Sequence, residues 1–284
     1  MIFQSVRRCV VPLLISGICF VIAVVPIGSL AETVKADQTE VVLVGTLHEY
    51  HDHLPNYSRD ILRDIIISAQ PAAILYEMPS VLDGLPTSVN GRINTRFRDN
   101  ESVAVNQAAD SLQVPVFPYD REGRNEIYVK TRYFEREQYA FGELMKWGEW
   151  TSEDPNEKAA AVATGCLFES VQQAQMEVVT TAGPQVLNSS VFDLLSKNKH
   201  CLVYELWPAL LTSADQDSVI ADLKFLNEEW NTRNGIMADN IIRIAQGYVG
   251  KRLVVLCGAE HRHDLRELLA TRNTVKVLEY YELE

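Results

Sequence analysis

Two Gly-x-x-His tetrads, each directly after a short apolar run, constrain the fold of this chain more than any other feature. The first follows Val41-Val42-Leu43-Val44 and reads Gly45-Thr46-Leu47-His48. The second follows Leu253-Val254-Val255-Leu256-Cys257 and reads Gly258-Ala259-Glu260-His261. Apolar runs of this length, rich in β-branched residues, read as buried strands, and the glycine lets the chain turn out of each. A histidine three residues later lies just past the strand's carboxyl end, where open α/β sheets form their ligand crevices. The two histidines, far apart in sequence, can therefore share one crevice.

Strand and helix signals alternate around these tetrads. Strands are expected at Glu40–Val44, Ala72–Tyr76, Val114–Tyr119, Arg252–Cys257 and Val275–Tyr281. Pro115 and Pro118 put the third of these at a sheet edge. Helices are expected over Ser58–Ala69, Glu101–Leu112 (capped by Asn100), Val219–Gln246 and Asp264–Thr271, with Met78–Phe97 as a long loop. Residues Asn125–Gly247 read as helical almost throughout, broken at Asp154-Pro155, Gly183-Pro184, Pro208 and Ser213–Asp217. The pattern predicts an α/β fold: a mainly parallel sheet, Gly-x-x-His loops at strand ends, and an inserted helical subdomain. It divides into a leader (1–31), an N-terminal α/β half (32–124), a helical insertion (125–218) and a C-terminal half completing the same domain (219–284).

The leader has the form of a secretory signal peptide. Arg7 and Arg8 precede an uncharged apolar stretch from Cys9 to Val25, and Ser29-Leu30-Ala31 offers small residues for cleavage after Ala31. An uncleaved anchor is the second reading of this stretch. Either way the body lies outside the cytoplasm, periplasmic or secreted, and cleavage leaves no membrane span. Loss of the two arginines leaves 24 basic against 38 acidic residues, a net charge of −14. A surface that acidic repels phosphate backbones and excludes nucleic acid as a partner. Three cysteines remain. Cys166 and Cys201 are a candidate bridge, and Cys257 reads as a buried strand residue.

Each predicted strand is followed by a group able to do chemistry: His48, then Glu77, then Asp120-Arg121, then His261. In a parallel sheet all of them project from one edge, and imidazoles with carboxylates suit either a divalent metal or metal-free acid/base catalysis. His261 also precedes a helix, whose N-terminal field disfavours an imidazolium. His48-Glu49-Tyr50-His51-Asp52-His53 nearly matches the HxHxDH signature of metallo-β-lactamase-fold hydrolases, but Tyr50 stands where a zinc-binding histidine is required, so His51 and His53 are assigned to the loop or to outer support. On the last long helix, Arg233 lies among apolar positions with Met237 one turn on. A buried arginine needs an acid, and Glu77 or Asp120 can supply it; the surface alternative is a pair with Glu229.

Gly45–His48, Glu77 in Leu75-Tyr76-Glu77-Met78-Pro79, Asp120-Arg121, Arg233-Asn234-x-x-Met237 and Gly258–His261 occur in an order that resembles the TraB/Tiki-like superfamily, with its erythromycin esterase and ChaN-type haem-binding relatives. The resemblance spans Val41 to about Leu268. It implies an α/β fold with both histidines and the glutamate in one cleft, and an activity of either metal-dependent peptide hydrolysis, metal-independent ester hydrolysis or haem binding. The expectation is an exported hydrolase of an ester or amide bond acting on a small molecule or peptide, with water as nucleophile. His48, Glu77, His261 and Arg233 would be catalytic. His48, Glu77 and His261 would hold one divalent ion (Mn, Co or Zn) if one is used. Arg121, Asp120, Asn234 and Met237 would contact substrate. The rival is a haem or small-ligand binding protein with Tyr50, Tyr57 or Tyr76 near the cleft, or a family member without catalysis.

Overall fold

The computed structural model describes residues 38–97, 99–146, 154–181, 183–210 and 217–283. The leader and its cleavage site lie outside the described residues, as does most of the Ser213–Asp217 break. Five strands form one parallel sheet: β1 (Thr39–Thr46), β2 (Ala73–Tyr76), β3 (Val116–Pro118), β4 (Arg252–Gly258) and β5 (Val275–Leu278), in the order β3-β2-β4-β1-β5. The fold is α/β as expected, and the proline-bearing β3 is at an edge. β4, last but one in sequence, fills the centre between β1 and β2, with Thr46 opposite Gly258 and Leu75 opposite Val255. Both tetrads therefore leave adjacent strands side by side.

Covered faces explain why β1 and β4 are apolar without alternation. Val42, Val44, Val254 and Leu256 point into a core shared with α1 (Arg59–Ser68) and α2 (Asn100–Leu112). The insertion opens with α3 (Arg124–Thr131) and α4 (Tyr133–Leu144). The insertion continues with α5 (Pro155–Thr181) and α6 (Ser190–Cys201), which runs through a π-helical stretch, Leu202–Leu206, into Trp207–Leu210. That stretch absorbs Pro208 without a break. The opposite face of the sheet, Val41, Leu43, Leu253 and Val255, packs on α7 (Asp217–Ala245) and α8 (Arg262–Arg272).

The insertion has its own core, centred on Phe168, Trp207, Leu223 and Leu226. Helix α7 belongs to both cores: its first half packs in the insertion and its second half, Met237 to Ala245, on the sheet. Arg233 and Asn234 lie between the two halves.

Three local expectations change. The segment Met78–Phe97 contains two short hairpins, Val81–Leu82 with Leu85–Pro86 and Ser88–Val89 with Arg92–Ile93. Their turns are Asp83-Gly84 and Asn90-Gly91, all at positive φ, the conformation tight hairpins require. The cap of α2 is Asp99 rather than Asn100: its carboxylate accepts from the Ser102 N–H at 2.6 Å while Ser102 Oγ accepts from the Asp99 N–H. Cys166 and Cys201 are both free thiols, so the candidate bridge is absent; Cys257 is buried as expected.

Candidate active site

Three adjacent strand ends deliver the central groups. Glu77 follows β2, His261 follows the short turn after β4, and His48 follows β1 with a φ of 50°. Gly258 makes the approach possible, because a Cβ there would meet His48 Nε2 at 2.8 Å and Glu77 Oε2 at 3.7 Å. A side chain at this position would force the His48 ring to shift. These groups line a cavity of ≈ 620 Å³, with Arg124, Tyr128, Tyr133 and Trp230 on the side of the helical insertion.

Arg233 organises the floor. Its Nε donates to Asp120 Oδ1 at 2.9 Å, and Nη2 donates to Asp120 Oδ2 at 2.8 Å and Glu77 Oε1 at 2.5 Å. The sequence offered Glu77 or Asp120 as partner; the arginine takes both. Glu77 Oε2 accepts the Gly258 N–H at 2.6 Å, and Asp120 accepts a further bond from Arg124 Nη1 at 2.5 Å. Burial pushes the Glu77 carboxyl up, but His261, Arg233, His48 and the Gly258 N–H more than offset it, and it falls to about 2. Since His261 itself is uncharged near neutrality, Arg233 and the Gly258 N–H are the partners that keep Glu77 ionised there.

His261 is held as a neutral imidazole with its tautomer fixed by its neighbours. Asn234 Nδ2 donates to Asp264 Oδ2 at 2.9 Å, which turns Asn234 Oδ1 toward His261 Nδ1 at 2.7 Å. The proton is then on Nδ1, and Nε2 accepts from Arg233 Nη1 at 2.9 Å. Trp230 stacks on the ring at 4.1 Å and donates its own N–H to Asp264. Burial, with Arg233 alongside and despite the attraction of Glu77, lowers the His261 pKa to about 3.

His48 is set up differently. Its Nδ1 lies 3.0 Å from Glu101 Oε2, and the other Glu101 oxygen accepts from Thr46 Oγ1 at 3.1 Å. Glu101 is fully buried, whereas the His48 side chain is 45% exposed. A carboxylate on Nδ1 places the proton there, and Nε2 lies against Gly258 at the edge of the cleft. Beneath this loop, His51 accepts the Leu47 N–H on Nε2 at 3.1 Å and donates from Nδ1 to the Tyr57 carbonyl at 2.7 Å. It is a buried anchor of the loop; His53 is exposed.

Several expected contacts lie elsewhere. Arg121 pairs with Glu229 at 2.8 Å and does not line the cleft; Arg124, three residues on, does. Met237 is buried in the core between α7 and the sheet, and Asn234 holds His261 rather than facing the cavity. Of the three tyrosines, Tyr76 does line the cleft, with its hydroxyl donating to Asp99, whereas Tyr57 donates to the Gly45 carbonyl in the core and Tyr50 is exposed. Glu101, Arg124 and Trp230 were not among the sequence candidates. The signal for Glu101 was its place in the first turn of α2, beside a strong cap; nothing in the sequence marks it as buried.

The donor set does not suit a divalent ion in this arrangement. The Nε2 lone pair of His261 is engaged by a guanidinium, and both Glu77 oxygens already accept hydrogen bonds. A metal bridging His48, Glu77 and His261 would have to displace Arg233 and sit against its charge. Among the described residues no group of three or more His, Cys, Asp or Glu is arranged to hold a metal, and no helix is long and apolar enough to cross a membrane. No protein-family model, no curated protein and no solved structure matches the chain.

Proposed function

We propose that the chain is an exported, metal-free hydrolase of an ester or amide bond, a member of the TraB/Tiki-like superfamily, in which His48 is the general base. The observation that carries this reading is the Glu101–His48 pair: a fully buried carboxylate on Nδ1 of a histidine that lines the cleft. That is the base-and-orienter arrangement used wherever a histidine must take a proton at neutral pH.

In the proposed reaction, His48 Nε2 takes a proton from water as the water oxygen bonds to the carbonyl carbon. The carbonyl oxygen becomes an oxyanion. As the intermediate collapses, the bond to the leaving alcohol or amine breaks, and the His48 imidazolium returns its proton to that group. Arg124 is the fitting oxyanion donor. It lines the cleft, spends one terminal nitrogen on Asp120, and keeps Nη2 without a partner among the described residues. Arg233 has Asp120, Glu77 and His261 as partners, so its role is to hold the floor in shape rather than to grip the substrate. Glu77 and His261 likewise act through that floor.

The test is turnover of model esters and anilides by the purified mature chain, with and without chelator. The expected result is hydrolysis that chelator leaves unchanged and that His48→Gln lowers by about 10²-fold or more. Hydrolysis that persists undiminished in His48→Gln would rule out this base.

A further inference from the structure

A second chamber of ≈ 210 Å³ adjoins the cleft, with Tyr133, Glu137 and Trp230 lining both. Phe141 and Tyr204 extend its aromatic wall. The space far exceeds the ~30 Å³ share of one water. Neither the sequence motifs nor the proposed reaction gives this chamber a role.

Its charges are unevenly matched. Lys199 lines it but is engaged by Glu260 at 2.7 Å. His200 donates from Nε2 to Asn227 Oδ1 at 2.9 Å, and burial pulls its pKa down, so it adds no charge near neutrality. His263 donates from Nδ1 to the Glu260 carbonyl at 3.0 Å. Glu137, half-buried on α4, makes no hydrogen bond or close ion pair among the described residues; Lys199 acts on it only from a distance. Its carboxyl is pushed up by burial, and its negative field reaches the phenols of Tyr133 and Tyr204. A carboxylate left without a partner in a half-buried wall is costly, and a cation removes that cost. Aromatic walls attract a cation further through their negative ring faces, and they discriminate against hydrated inorganic ions by their apolar surface.

We propose that the chamber is a subsite for a small alkylammonium group, with Glu137 as its counter-ion and Tyr133, Phe141, Tyr204 and Trp230 as its walls. On the hydrolase reading, on which the word substrate rests, the substrate carries a cationic amine beside its ester or amide. The acidic chain favours the approach of such a molecule.

The test is calorimetric titration of the mature chain with choline and with 3,3-dimethylbutan-1-ol, which has the same shape without the charge. The wild type is expected to bind choline at least tenfold more tightly than the alcohol. Glu137→Gln is expected to bring the two affinities together, with an unchanged circular dichroism spectrum showing that the variant is folded. Equal affinities in the wild type would overturn the proposal, and so would a choline preference that survives in folded Glu137→Gln. The wild-type comparison decides even if the variant fails to fold. His48→Gln is expected to keep the choline preference while losing turnover, so the subsite and the hydrolase reading can fail separately.

Discussion

His48 and His261 stand at the same place in the same four-residue motif, three residues beyond a glycine at the carboxyl end of a central parallel strand. Yet His48 is half exposed against a buried carboxylate, while His261 is buried against an amide, a guanidinium and an indole. The motif fixes where each ring emerges; the neighbouring helices decide what it can do. Helix α2 presents the Glu101 carboxylate to the first ring. Helix α7 presents Asn234, Arg233 and Trp230 to the second and disfavours its protonation. The first ring is the proposed base, and the second stays neutral.

The sharpest way to break this contrast is His48→Gln, which removes the proposed base but keeps a hydrogen-bonding side chain. Turnover should fall by about 10²–10⁴-fold, the usual contribution of a positioned base. The melting temperature should move little, because the side chain is half exposed. The matching change at the other site, Arg233→Ala, should act first on stability. It leaves Glu77 buried without its guanidinium and Asp120 with Arg124 as its remaining cation, and removing one partner of such a buried pair costs about 3–5 kcal/mol in typical cases. Thermal unfolding would check it, and a melting temperature equal to wild type would show that the floor does not depend on this ion pair.

A smaller effect separates orientation from base strength. Glu101→Gln keeps the volume but lets the amide present its NH₂ to Nδ1, which favours the wrong tautomer. Turnover should fall by about tenfold or more with KM nearly unchanged, since the loss is confined to the proton-transfer step. Arg124→Ala, by contrast, removes the proposed oxyanion donor and should lower kcat at any pH, by about 10²-fold if it acts as such donors usually do.

Stability should also depend on pH with a sign set by His261 and Glu77. The unfolded chain protonates a histidine near the ordinary imidazole pKa of 6.5, whereas folded His261 resists until about 3. Stability therefore falls as pH drops from 6.5 toward 3. Glu77 adds to the same trend, because its favourable ionised state is present above 4.5 and is lost as pH falls toward 2. Over the first part of this range the melting temperature should fall by at least ~2–4 °C, the equivalent of about 1 kcal/mol in a domain this large. His261→Gln should flatten that part, and an unchanged slope would place the effect on other groups.

The sequence carried the sheet because buried parallel strands are written as uninterrupted apolar runs, and β1 and β4 are of that kind. It carried Glu77, Asp120, Arg233 and both histidines because each directly adjoins such a run or breaks an apolar helix face. It did not carry Glu101, whose burial depends on how α2 packs against the loop after β1, two elements with no shared pattern. Adjacency to Asp120 singles out Arg121 in the sequence, but neighbouring side chains diverge, and α3 turns Arg124 back onto the Asp120 carboxylate. Met237 shares a helix with Arg233 but belongs to the half of α7 that packs on the sheet. The hairpin turns Asp83-Gly84 and Asn90-Gly91 were legible, since those dipeptides favour the positive φ seen there, but the prolines around them read as loop.

The contrast between the two rings is tested most directly by ¹⁵N NMR of the imidazoles across a pH titration of the folded chain. The account predicts that His261 stays neutral from pH 8 to about pH 4, with its proton on Nδ1 throughout. A His261 that gains a proton between pH 5 and 8, or that carries its neutral proton on Nε2, would contradict it.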